Sequence, residues 1–160
     1  MVKMHQTKIS LDLEKRKKSI ALLQQGVVDS INLAIMCKQA HWNVKGETFI
    51  AIHELFDRVH EKVQDYSDMM AERLMSLGGT TQATLPSIKK QSRLAPYPED
   101  IFSTKAHIDA LSSVIAHFGG FVREAIDQSA ASGDLGTSDL FTAFSRDLDH
   151  FLWFLEAHLQ

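Results

Sequence analysis

Apolar residues in the first part of the chain, Ile20, Leu23, Val27, Ile31 and Ala34, recur every three or four positions, the interval that places them on one face of a helix. The spacing predicts a first helix from about Leu11 to Ala40, slightly weakened at Gly26. A second series, Ile52, Leu55, Phe56, Val59, Val63 and Met70, predicts a helix that starts at Phe49. It stops at Leu77-Gly78-Gly79, since glycine readily supplies the left-handed residue that ends a helix. Ser103 or Thr104 opens a third helix as its N-cap, running to about Ser132 before Gly133, and a fourth runs from near Thr137 to the C-terminus. No stretch alternates with the period of a strand. Between the second and third helices lie about 24 residues with all three prolines, Pro86, Pro96 and Pro98. So long a connection crosses from one end of a bundle to the other, whereas antiparallel neighbours need only a short turn. The predicted fold class is all-α: a four-helix bundle with a long crossover between helices 2 and 3. Pro86 to Gln91 forms a short extra helix in that crossover, with proline in its first turn.

On the second helix, His53 and Asp57 fall one turn apart, and Asp68 and Glu72 form another i, i+4 pair further along. Each pair is half of a metal site. At a rise of roughly 1.5 Å per residue, the chain from Asp57 to Glu72 holds the halves roughly 22 Å apart, beyond the reach of one ion. A second copy of the chain solves this. Antiparallel pairing of the same helix about a two-fold axis near Lys62 and Val63 sets each His/Asp half opposite the partner's Asp/Glu half. Two equivalent sites then lie about 11 Å either side of the axis. His41, just before the turn Val44-Lys45-Gly46, reaches the His53 half from the first helix. Two imidazoles and three carboxylates suit a borderline or hard first-row cation that changes oxidation state, such as iron, with zinc and manganese as competitors.

The run His41-Trp42-Asn43-Val44-Lys45-Gly46, followed by Phe49, His53, Asp57, Asp68, Ala71-Glu72-Arg73 and Leu77-Gly78-Gly79, resembles the Dps family of ferritin-like mini-ferritins. The ending Ser145-Arg146-Asp147-Leu148-Asp149-His150-Phe151-Leu152-Trp153-Phe154-Leu155-Glu156 is similar to that family's last helix, and the resemblance covers almost the whole chain after about Leu11. It implies a ferritin-like four-helix bundle over residues 11–160 after a short N-terminal tail, 1–10. By the same resemblance, His41, His53 and Asp57 are ferroxidase ligands from one subunit, and Asp68 and Glu72 come from its two-fold mate, forming a one- or two-iron site. The implied activity is Fe(II) oxidation, typically with hydrogen peroxide and otherwise with oxygen. Ferric mineral is stored in a hollow dodecamer of C2 dimers, protecting DNA and the cell from oxidative damage. The crossover helix would lie at the dimer interface. Trp42, beside His41, would intercept stray radicals, although packing explains an aromatic there equally well. Acidic pores near the start of the last helix point to Asp134 and Asp139, although an aspartate at a helix N-terminus also stabilises the macrodipole.

A chain of 160 residues, 44% apolar and 23% charged, is expected to form one soluble domain. Lys3 and Lys8 precede no apolar signal region, and no stretch approaches about 18 uninterrupted apolar residues, so a cytoplasmic location without membrane association is expected. Cys37, alone among Ala34, Ile35 and Met36, is a buried thiol with no assigned role. One rival to the shared site is an intrasubunit di-metal centre, because Asp57-x-x-His60 and Asp147-x-x-His150 resemble Glu-x-x-His pairs with Asp for Glu. His117 is a core or interface histidine. A purely structural bundle would account for the helices but not for two half-sites placed symmetrically about one point.

The alternative function is that of a nucleoid DNA-binding protein with a structural role. Residues 1–18 hold six basic and two acidic side chains, a charge of +4, leaving −7 elsewhere for a total of −3. A shell of such subunits repels phosphate unless its arms are free, so weak, non-specific DNA binding is the expectation. Lys15 to Lys18 serve equally as the solvated start of the first helix.

Overall fold

The computed structural model describes residues 4–160, which form five helices and no strand. They are α1 (Leu13–Asn43), α2 (Phe49–Ser76), α3 (Leu85–Gln91), α4 (Thr104–Ser132) and α5 (Leu135–Glu156). α1 runs further than its apolar spacing predicts. The Val44 N–H still bonds the Ala40 carbonyl (2.9 Å) before the backbone turns extended, so His41 lies inside the last turn. The ends of α2 and α4 follow the glycine signals, with Gly78 at φ 91 and Gly133 at φ 83, and Ser103 caps α4 by accepting from the Ala106 N–H. α5 begins before Thr137 because Asp134 is its cap, accepting from the Thr137 N–H at 3.1 Å.

α1 and α2 form one hairpin and α4 and α5 the other, packed around a core that includes Leu23, Leu33, Phe56, Val63, Met70, Phe118, Phe141 and Phe144. Gly26 has a packing reason. A Cβ there would lie 2.6 Å from Met70 Sδ, so the residue that weakens α1 locally lets α2 approach it closely. By length and composition α1 is apolar enough to cross a membrane, but 67% of that stretch is buried inside the bundle, as in a core helix.

The long crossover is fastened to α1 at several points. Buried Asp29 accepts hydrogen bonds from the Ser92 hydroxyl (3.0 Å) and the Arg93 N–H (2.8 Å). Gln24 bonds both the N–H (2.9 Å) and the carbonyl (2.7 Å) of Gln82. At the far end, the Lys45 N–H donates to the Phe102 carbonyl (2.8 Å) and the Thr104 N–H to the Lys45 carbonyl (3.1 Å). This parallel bridge joins the α1–α2 turn to the start of α4 and fixes the corner that carries His41 and His53.

Lys3, in the expected tail, lies outside the described residues. The segment that follows is tied down: the His5 N–H donates to the Gly78 carbonyl (2.6 Å), and the Arg16 guanidinium donates to the carbonyls of Leu77 (3.1 Å) and Leu11 (3.1 Å). Lys15 and Lys17 pair with Asp12 (3.8 Å) and Glu14 (2.7 Å), as the start of a helix. Gly78 makes this docking possible, since an added Cβ would lie 2.7 Å from the His5 carbonyl oxygen and the backbone is in the left-handed region. Gly78→Ala is therefore expected to lose about 1–3 kcal/mol in urea unfolding and to speed proteolysis before Leu13. Unchanged stability together with unchanged cleavage would contradict that account.

Candidate metal centre

His41 occupies the last turn of α1, and His53 and Asp57 occupy successive turns of α2, so the short α1–α2 connection brings the three together. His41 Nδ1 lies 2.8 Å from the His53 carbonyl oxygen, and His53 Nδ1 lies 2.8 Å from the His41 carbonyl oxygen. A carbonyl only accepts, so each Nδ1 carries a hydrogen, and in the neutral ring each Nε2 then keeps its lone pair. The rings stack with centroids 3.6 Å apart and planes 21° apart. Two imidazoles thus lock each other in the metal-binding tautomer without help from a carboxylate.

Asp57 lies beside them, its Oδ1 3.7 Å from His41 Nδ1 and 2.5 Å from Lys38 Nζ. The Lys38 hydrogen bond, opposed by partial burial and helped by the nearby His41 and His60, holds the Asp57 carboxyl below its ordinary range. Asp68 and Glu72 lie further along α2, exposed and without a hydrogen-bond or ion-pair partner among the described residues. Among those residues no three His, Cys, Asp or Glu side chains are gathered closely enough to hold an ion. One protomer stacks His41 on His53 with Asp57 beside His41, short of a complete ligand set, and leaves Asp68 and Glu72 apart from them. Between them runs a groove of about 410 Å³ lined by Ile31, Ile35, Lys38, Trp42, His60 and Asp68 among others.

A ferritin-like domain matches residues 20–160. The DNA protection during starvation protein of Agrobacterium fabrum is 43% identical over 159 residues, covering 99% of this chain and 98% of that protein. The chain belongs to the Dps family. The corresponding protein of Mycolicibacterium smegmatis is 33% identical over 92% of the chain and 80% of its own length. Among solved structures, DpsA14 from Streptomyces coelicolor superposes with a TM-score of 0.94 at 31% identity, over 99% of this chain and 94% of that one. A Mycobacterium smegmatis Dps structure gives 0.91 at 32%, over 97% and 94%. The fold is the Dps form of the ferritin-like bundle, and the family is broadly one of iron-binding, DNA-protecting proteins.

Within this Dps chain, Trp42 is 68% exposed and has the Lys38 ammonium 5.9 Å above its ring, so packing inside its own protomer does not account for it. The two pore candidates separate. Asp139 is exposed, but Asp134 is 1% exposed, and its oxygens are taken by Arg73 Nη2 (2.7 Å), the Thr137 N–H and the Thr137 hydroxyl (2.6 Å). Asp134 thus serves as a buried cap of α5, and of the two pore candidates only Asp139 is exposed in the protomer. Of the residues of the intrasubunit di-metal rival, Asp147 accepts from the Tyr66 phenol (2.9 Å) and His150 sits against Phe154 (4.1 Å), while His60 Nδ1 bonds the Ala34 carbonyl (2.9 Å) and so leaves its Nε2 free, as in His41 and His53. Burial pushes the Cys37 thiol up to about 12, so it is not a reactive thiolate. Lys38 escaped the sequence reading. Its position one turn before His41 and Trp42 on α1 is the signal that places it on the same face.

Proposed function

We propose that this protein oxidises Fe(II) at sites shared between two subunits, with hydrogen peroxide or oxygen as electron acceptor, and stores the ferric product inside a dodecamer built from two-fold dimers in the bacterial cytoplasm. The observation that carries the reading is the reciprocal locking of His41 and His53, which presents two Nε2 lone pairs next to the Asp57 carboxylate. An antiparallel copy of α2 would bring Asp68 and Glu72 of the second subunit to this half-site. The exposed apolar residues along the groove, Ile35 at 50% and Trp42 at 68%, are the surface such a copy would cover. Carboxylates from both chains then favour Fe(III) over Fe(II) as positive charge builds up, which drives oxidation.

The direct test follows Fe(II) oxidation by absorbance in wild type and His41→Ala/His53→Ala, with assembly mass measured alongside. Oxidation should fall to the protein-free rate in an assembly of unchanged mass. Undiminished oxidation would overturn the assignment. Lys38 makes a second expectation possible. Iron must displace its ammonium from Asp57, so Lys38→Met should bind Zn(II) or Co(II) severalfold more tightly in a competition titration, the scale of about 1 kcal/mol for a partly exposed ion pair. Weaker binding would show that Lys38 helps rather than competes.

Association with DNA receives less support. The described part of the N-terminal segment is docked on Gly78, and two of the four basic residues from Lys15 to Lys18 are paired with carboxylates while Arg16 holds backbone carbonyls. Among the described residues of this region, Lys8 and Lys18 are left as exposed cations, which supports only weak attraction to phosphate.

A further inference from the structure

The chain contains two tyrosines, each bonded to a base. Tyr66 donates to Asp147 Oδ2 at 2.9 Å, and Tyr97 lies 2.8 Å from His107 Nδ1. His107 is 1% exposed and burial lowers its pKa, so the imidazole is neutral. With the phenol donating to Nδ1, the ring hydrogen is on Nε2, which is enclosed with the Ile101 carbonyl nearby but outside good hydrogen-bond geometry. The result is a phenol aimed at a buried, neutral base that can take one more proton. Tyr66 is less well placed, because a carboxylate is intrinsically a weaker base than imidazole and Asp147 is shared with Lys62 at 4.0 Å.

The Tyr97–His107 pair is joined to the helices that carry the metal half-site through Phe56 and Cys37. His107 meets the edge of Phe56 (centroids 6.4 Å apart), the residue before Asp57 on α2. Tyr97 lies near the buried Cys37 thiol. Cys37 precedes His41 by one turn of α1, about 6 Å along the axis. Anchoring the crossover to α4 would need only some hydrogen bond here; it does not require a solvent-excluded proton acceptor.

We propose that Tyr97 and His107 form a redox pair that supplies one electron to the half-site when peroxide is reduced there by a single Fe(II), a role that rests on the iron-oxidising reading above. One Fe(II) giving one electron to hydrogen peroxide becomes Fe(III) and splits the peroxide into hydroxide and hydroxyl radical. Tyr97 gives one electron to that radical, making a second hydroxide, while its phenol proton moves to His107 Nδ1. A neutral tyrosyl radical and an imidazolium remain. A second Fe(II) then returns an electron to Tyr97 and becomes Fe(III), and the proton goes back from His107 to the phenol oxygen. The sum is two Fe(II) and one peroxide giving two Fe(III) and two hydroxides, with no radical released.

The test mixes peroxide with the intact assembly holding less than one Fe(II) per site, follows iron oxidation by absorbance, and records electron paramagnetic resonance on freeze-quenched samples. A tyrosyl signal is expected in wild type and Tyr66→Phe, and at least a tenfold loss in Tyr97→Phe at unchanged assembly mass. His107→Gln, which keeps the phenol but removes the imidazole base, should lose the signal too. A signal that survives Tyr97→Phe, or a tryptophanyl signal in its place, overturns the proposal. So does a wild type that oxidises iron without any tyrosyl signal. A wild type that does not oxidise iron at all sinks the shared-site reading itself, and this pair's role with it.

Discussion

Co-assembly of His41→Ala/His53→Ala subunits with Asp68→Ala/Glu72→Ala subunits is expected to recover about a quarter of wild-type iron oxidation from two preparations that each have none. In a mixed dimer one site receives both sets of changes and is dead. The other combines an intact histidine half with an intact acidic half. Random pairing makes about half of the dimers mixed, each with one working site of two, hence about a quarter overall. The magnitude matters because a site complete within one chain predicts no recovery at any mixing ratio. The measurement is initial-rate oxidation after joint refolding, with mass spectrometry counting mixed dimers. Abundant mixed dimers with no recovery would remove the shared-site mechanism.

The second large effect is on stability. Asp134→Ala strips the cap from α5 and leaves the Arg73 guanidinium, 27% exposed, without its 2.7 Å partner. Removing one member of a largely buried ion pair costs about 3–5 kcal/mol, and loss of the cap belongs within that range. Asp134→Asn keeps an acceptor for the Thr137 N–H and should lose less. Burial alone would push the Asp134 carboxyl up, but its hydrogen bonds with Thr137 and the charge of Arg73 outweigh that and hold it below its ordinary 3.8. A depressed folded value means the stabilisation is complete above pH 3.8 and is lost as pH falls towards the folded pKa. Urea midpoints at pH 7 and pH 3 should therefore differ less in Asp134→Asn than in wild type. An equal fall in both would place the acid sensitivity elsewhere.

Much of the fold could be read from the sequence because its signals are local. Gly78 and Gly133 end helices through their own left-handed backbone, and Ser103 caps α4 across one turn. The crossover declared itself by length and proline content. What the sequence left open depends on contacts between distant residues. Asp134 looked like a candidate for an acidic lining, yet Arg73, sixty-one positions away, draws it inside. Gly26 looked like a weakness until Met70 was seen against it. In the candidate site, the spacings of His53 with Asp57 and of Asp68 with Glu72 follow from helical geometry alone. The bond of Lys38 to Asp57 joins two helices, and no single period reveals it.

The parallel bridge between Lys45 and the start of α4 has a dynamic consequence. Because the Lys45 and Thr104 amides each bond across it, neither can be exposed without parting the same two segments. Their deuterium uptake should rise together, and the bend bearing both imidazoles would breathe only when the longest connection of the chain lets go of it.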